Sequence, residues 1–249
     1  MTETRPRTLV VGGSRGVGRA TVLELAGRGH DVAIAYTKAA EQASALVDEL
    51  PPECTAVTVA GDIAVDGERI VSEAVEGLGG LDGVVVTAVP VIIGPLLKAT
   101  RADIDRCYDV VVHGFREVVV AAKPHLERTG GSAVAVSSLG ADRYAGYYGA
   151  LGPAKAALET VVRYLAVELG RTGVRVNGVS PCLIDDPQHF EDAPDVMRFL
   201  EATAKRTPLN RRLATPADVA RVIAALLGPD FGSVTGQIIT IDGGYGLLA

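Results

Sequence analysis

Short β-branched runs alternate with longer amphipathic stretches along almost the whole chain. Val, Ile and Ala dominate Leu9–Val11, Val32–Tyr36, Ala56–Ala60, Gly83–Thr87, Ala133–Ser137, Arg175–Val179 and Ile238–Ile241. Because these runs lack a polar alternate face, they read as parallel strands covered by helices on both sides. Apolar residues recur at helical spacing over Val17–Gly27, Glu41–Leu50, Gly67–Gly77, Asp103–Leu126, Ala154–Leu169 and Asp218–Leu227. Thr215-Pro216 supplies a capping hydroxyl and a first-turn proline ahead of the last. The rhythm predicts an α/β fold with one doubly wound sheet of seven strands, in a single domain over residues 1–249. Only residues 182–210 fall outside it, and an amphipathic stretch at Val196–Ala204 makes them a candidate lid over the ligand crevice.

Composition narrows the function classes. The chain has 249 residues, 48% of them hydrophobic and 22% charged, with a net charge of −6. No dense positive stripe is present, which argues against nucleic acid or an anionic membrane as partner. The longest uncharged stretch, Gly83–Leu97, is broken by Pro90, Gly94 and Pro95 and is shorter than the roughly 18 residues of a spanning helix. Cys54, Cys107 and Cys182 form neither a disulfide framework nor a zinc site, and no metal is expected. They read as small buried or half-buried side chains. With no secretory signal ahead of the first strand, the expected location is the cytoplasm.

Candidate chemistry starts at Leu9-Val-Val-Gly-Gly-Ser-Arg-Gly-Val-Gly-Arg-Ala20. Gly12, Gly16 and Gly18 lie between the first strand and the first helix, where a backbone must turn sharply and approach a diphosphate closely. The helix N-terminus offers its free amides to that anion. The chain therefore reads as a Rossmann-type dinucleotide binder. The second strand ends Ala35-Tyr36-Thr37-Lys38, without the carboxylate that would hold a ribose 2′-hydroxyl, and Arg15 sits in the glycine loop. NADPH is thus favoured over NADH, unless Arg15 and Lys38 are merely solvated charges.

The Gly-x3-Gly-x-Gly spacing resembles the short-chain dehydrogenase/reductase family, and the resemblance covers essentially the whole chain. Gly61-Asp62-Ile63, Lys155, Arg175-Val-Asn-Gly-Val-Ser-Pro181 and Thr235-Gly-Gln-Ile-Ile-Thr-Ile-Asp-Gly-Gly244 follow in the family's order. The resemblance implies that Ser14, Val17, Tyr36, Asp62, Ile63, Ala88, Lys155, Pro181 and Ile184 join the loop glycines, Arg15 and Lys38 around the cofactor. Asp62 would contact the adenine.

Reduction of a carbonyl or an enoyl group by hydride needs a proton donor near the developing oxyanion or enolate, and a tyrosine suits if an ammonium lowers its pKa. The family's usual Tyr-x3-Lys is broken here, because Leu151 stands four residues before Lys155. Tyr148-Gly-Ala-Leu-Gly-Pro-Ala-Lys155 instead resembles the Tyr-x6-Lys of the enoyl-acyl-carrier-protein reductases. That resemblance implies that Lys155 binds the nicotinamide ribose, Tyr148 hydrogen-bonds the thioester carbonyl or its enolate, and Ser138 lines the same pocket. Pro153 belongs in a first helical turn, which puts Tyr148 on the entering loop. Tyr144 and Tyr147 remain competing acids, and His113 and His189 read as structural or surface residues.

Several family positions are altered. Val11 precedes the first glycine, Val86-Thr87-Ala88-Val89 replaces an Asn-Asn-Ala-Gly run, and Val111 takes the place of a relay asparagine. Asp186 stands where the family has a hydroxyl for the carboxamide or phosphates, and it would repel a diphosphate unless turned away.

The first expectation is an NADPH-dependent enoyl-thioester reductase of fatty-acid or polyketide metabolism, acting on an acyl carrier protein or CoA substrate. Leu183, Ile184, Phe190, Val196, Met197, Phe199 and Leu200 of the lid would clasp the acyl chain. The alternatives are a ketoreductase for a polyketide or cyclic ketone, and a redox-silent partner subunit, cyclase or isomerase on the same scaffold. The resemblance also implies a homotetramer or homodimer built through the helices at 103–126 and 154–169, with Gly243–Ala249 buried against a neighbour.

Overall fold

Alternate residues of each strand enter two separate cores. Val10, Ile34, Val85, Val134 and Val179 point to one face, and Leu9, Val11, Ala33, Val84 and Ala133 to the other. The computed structural model describes residues 5–186 and 194–248, with side chains for all of these except 194–197 and 199. The strands are β1 (Arg7–Val11), β2 (Asp31–Tyr36), β3 (Ala56–Ala60), β4 (Gly83–Val86), β5 (Ser132–Val136), β6 (Arg175–Pro181) and β7 (Ile238–Ile241). All pair in parallel, in the order β3-β2-β1-β4-β5-β6-β7. The order reverses between β1 and β4, which opens a crevice above their C-terminal ends.

Helices α1 (Gly16–Gly27), α2 (Ala40–Asp48) and α8 (Pro216–Leu227) cover the face carrying Val10. The opposite face is covered by α3 (Ile63–Leu78), α5 (Gly114–Thr129) and α6 (Leu151–Gly170). Each core is almost wholly Val, Ile, Leu and Ala, so burial of apolar area on both faces holds the sheet. Among the described residues, no helix is long and apolar enough to cross a membrane.

The predicted strands and helices all form, with shifted ends. Helix α3 begins at Ile63, four positions before the expected Gly67, because the Asp62 carboxylate accepts the amide of Ala64 at 3.1 Å and caps it. The single helix expected over Asp103–Leu126 is α4 (Arg101–Tyr108), a π turn at Asp109–His113, and α5. Strand β6 runs on to Pro181 because Ser180 and Pro181 still pair with Thr240 and Ile241. In the segment expected to form a lid, α7 spans Pro194–Arg206 around the predicted amphipathic stretch.

Candidate active site

The end of β1 meets α1 in the glycine loop. Gly12 turns with φ of +83°, and a Cβ there would lie 2.6 Å from the Thr87 hydroxyl and 2.8 Å from the amide nitrogen of Ala88. A Cβ on Gly18 would run into the Gly12 carbonyl oxygen, so helix and loop touch backbone to backbone. Thr87 secures the turn by donating to the carbonyls of Val11 and Gly12, both at 3.1 Å. Ser14 is buried in the loop, and no side chain caps the N-terminus of α1. The first-turn amides are thus left for an external anion, which suits a dinucleotide's diphosphate.

Around this cradle the expected cofactor residues gather unevenly. Arg15 and Lys38 are exposed, and Val17 and Tyr36 are half-buried. Asp62 is already engaged, since Arg106 holds its carboxylate at 2.6 Å while it caps α3. Ile63 is buried beneath it and Ala88 is half-buried beside Gly12. Pro181 ends β6, and Ile184 forms a bridge with Ala214. Asp186 does not turn away. Its carboxylate lies 3.1 Å from where a Cβ on Gly16 would stand.

The reacting side chains are positioned by β5 and the segment that leads into α6. Pro153 lies in the first turn of α6, and Tyr148 stands on the loop before it. That loop is pinned from both sides. Gly94 donates to the Tyr147 carbonyl at 2.8 Å, Gly149 donates to Gly94 at 2.9 Å, and Gly152 donates to Tyr148 at 2.8 Å. Tyr147 takes up φ of +63°, a left-handed conformation that costs energy for an aromatic residue. This conformation turns Tyr147 away from Tyr148. Tyr144 and Tyr147 are 94% and 72% exposed, whereas the Tyr148 ring packs against Gly140 and inward.

Burial raises the Tyr148 phenol above the ordinary tyrosine value, and the neighbouring Ser138 hydroxyl pulls the other way. The expected lowering by an ammonium is therefore not what this site does. Lys155 is only 3% exposed, and its Nζ donates to the Val136 carbonyl at 2.5 Å. Burial brings its pKa down to about 8, against the raising influence of Cys107 and Glu159. An exposed helix lysine is excluded. At neutral pH the phenol keeps its proton and the ammonium its charge.

Three residues beside these were missed by the sequence reading. Thr87 clamps the glycine loop, and its signal was a polar residue closing an otherwise apolar strand. Glu159 accepts from Ser137 at 2.7 Å one turn beyond Lys155, and the i, i+4 spacing could have flagged it. Cys107, fully buried on α4, lies in the same electrostatic neighbourhood, which only the tertiary fold reveals. Val111 is buried in the π turn and offers no polar group in place of an asparagine. His113 is exposed, and His189 and Phe190 lie outside the described residues.

A cleft of about 460 Å³ opens beside Tyr148. Pro95, Leu96, Leu97, Ala145, Pro153 and Ala156 make it mainly apolar, and Arg143 and Asp142 add charge to its wall. Of the proposed lid clasp, Leu200 is buried, and Leu183 and Ile184 are half-buried. The side chains of Val196, Met197 and Phe199 fall outside the description.

Comparison with known proteins agrees with this geometry. The family described as enoyl-(acyl carrier protein) reductase matches residues 11–246. The 1-cyclohexenylcarbonyl-CoA reductase of Streptomyces collinus is 34% identical over 253 residues, covering 99% of this chain and 89% of that protein. The L-rhamnose 1-dehydrogenase (NAD(P)(+)) of Sphingomonas sp. strain SKA58 is 34% identical over 243 residues, or 95% of this chain and 94% of its own. Among solved structures, a short-chain dehydrogenase/reductase from Serratia marcescens matches with a TM-score of 0.88 and 28% identity, over 97% of this chain and 98% of that one.

Proposed function

The chain belongs to the short-chain dehydrogenase/reductase family of nicotinamide-nucleotide oxidoreductases, and from that premise we propose that it is an NADPH-dependent reductase of enoyl thioesters. The observation that carries this reading is the setting of Tyr148: a phenol at the edge of an apolar cleft, with the Ser138 hydroxyl beside it, whose pKa burial raises above the ordinary tyrosine value. A protonated phenol stabilises an enolate oxygen by hydrogen bonding without giving up its proton, whereas ketone reduction requires it to deliver one. In the proposed reaction a reduced nicotinamide would supply hydride to the β-carbon of the substrate, and water or a tyrosine would return the proton to the α-carbon of the resulting enolate.

The chain's own groups bind and orient. The amides of α1 and the turn at Gly12 would hold the diphosphate, and the buried Lys155 would place its charge near the nicotinamide ribose. Tyr148 and Ser138 would face the thioester carbonyl, and Pro95, Leu96 and Leu97 would contact the acyl group. Arg15, with Lys38 beyond Tyr36, would favour the 2′-phosphate of NADPH over NADH. A CoA or acyl-carrier-protein thioester is the proposed substrate form. The Streptomyces relative gives support, since its name describes reduction of a thioester that carries a ring alkene. We further propose a cytoplasmic homotetramer or homodimer, in which a second copy covers the exposed Val120, Tyr164 and Val167 of α5 and α6.

Steady-state NADPH oxidation with crotonyl- and acetoacetyl-thioesters tests the assignment. Turnover of the crotonyl substrate is expected. Turnover of the keto substrate alone would make the protein a ketoreductase, and absence of cofactor binding would leave only the redox-silent scaffold.

A further inference from the structure

The uncapped first turn of α1 suits a diphosphate, and an aspartate already stands against that turn. The Asp186 carboxylate lies against Gly16, the first residue of α1, and is half-buried. Its backbone is fixed: Ile184 bridges to Ala214, the Asp185 amide donates to the Ala214 carbonyl at 2.8 Å, and the Asp186 amide donates to Ile184 at 3.0 Å. Among the described residues the carboxylate has neither a hydrogen-bond donor nor a cation as partner. The helix N-terminus it faces has no side-chain cap and no acidic residue in its first turn. An unpaired carboxylate thus stands at the N-terminal turn of α1, beside the amides to which the proposed function assigns the diphosphate.

We propose that Asp186 sets the affinity for the dinucleotide by competing with its diphosphate for the N-terminus of α1. The inference rests on the dinucleotide-binding reading above. A bound diphosphate and an ionised carboxylate repel at this separation, so the carboxylate must swing out before the cofactor seats, and each binding event carries that cost. The effect falls on the diphosphate and is therefore common to NADPH and NADH. It is separate from the 2′-phosphate preference assigned to Arg15 and Lys38.

The test is a titration of the purified protein with NADPH and with NADH, followed by nicotinamide fluorescence, in the wild type, Asp186→Asn and Asp186→Glu. Asp186→Asn is expected to tighten both nucleotides about tenfold or more, and Asp186→Glu, which keeps the charge, to bind like the wild type. Raising the salt concentration should narrow the gap between wild type and Asp186→Asn. Equal affinities for wild type and Asp186→Asn would overturn the proposal while leaving dinucleotide binding intact. Absence of binding by all three proteins would overturn both the proposal and the reading beneath it.

Discussion

Tyr148 is set apart from its neighbour Tyr147 by one backbone angle. The left-handed turn at Tyr147 sends that ring into solvent and lets Tyr148 pack against Gly140. If the phenol is the group that binds the enolate oxygen, Tyr148→Phe should lower kcat about a hundredfold with little change in cofactor affinity. Tyr144→Phe should leave kcat within a factor of about two, as expected for a largely exposed side chain at the outer wall of the cleft. An unchanged rate in Tyr148→Phe would remove the phenol from the chemistry. Lys155 gives a second residue-scale signature. Its folded pKa of about 8 lies below the ordinary lysine value because the ammonium is desolvated. The charged form therefore predominates below pH 8 and is lost as the pH rises through it. Since kcat/KM reports groups of the free enzyme, it should fall above pH 8 with a single limb. Lys155→Arg should move that limb upward, because a guanidinium stays charged.

At the scale of elements, local chemistry in the chain is specific enough to mark where α8 starts. Thr215 accepts the Asp218 amide at 3.2 Å, and the Asp218 carboxylate accepts from Thr215 nitrogen at 3.0 Å, with Pro216 following the cap. Arg212 and the capping bonds hold the Asp218 carboxyl at a pKa far below the ordinary range. Thr215→Ala should cost about 1 kcal/mol and lower Tm by roughly 2–4 °C, with kcat unchanged, since α8 packs on the sheet face opposite α6. A thermal melt beside an activity assay checks both halves. Strand identity was legible because β2, β4 and β5 are almost wholly apolar on both faces, and the glycine loop because its spacing sits between a strand and a helix. The π turn at Asp109–His113 was not, since Val110, Val111 and Phe115 satisfy an ordinary helical pattern equally well. The Asp62–Arg106 pair was also hidden, because its partners lie 44 positions apart and meet only when α3 and α4 are placed by the sheet.

For the whole molecule, the sheet order puts the cradle at the C-terminal end of β1 and the Ser138–Tyr148 pair beyond β5, with β4 between them. A dinucleotide lying across the reversal point would reach from one to the other. The sequence supplied the members of this arrangement. It could not supply the orientation of Lys155 toward Val136 or of Asp186 toward Gly16, which are set by packing across the crevice. Assembly belongs to this scale too. A chain of 25.8 kDa exposing Val120 on α5 and Tyr164 and Val167 on α6 should behave in light scattering as a dimer or tetramer. Val167→Glu, at the exposed end of that face, should shift it toward the monomer. Persistence of the wild-type mass in Val167→Glu would place the subunit contact elsewhere. The central claim is that hydride passes to the β-carbon of an enoyl thioester held against Tyr148. Incubation of crotonyl-thioester with NADPH deuterated on the transferable C4 position, followed by mass spectrometry of the product, tests it most directly. The account predicts one deuterium on the β-carbon of a saturated product. A recovered substrate without deuterium, under conditions in which NADPH binds, would contradict it.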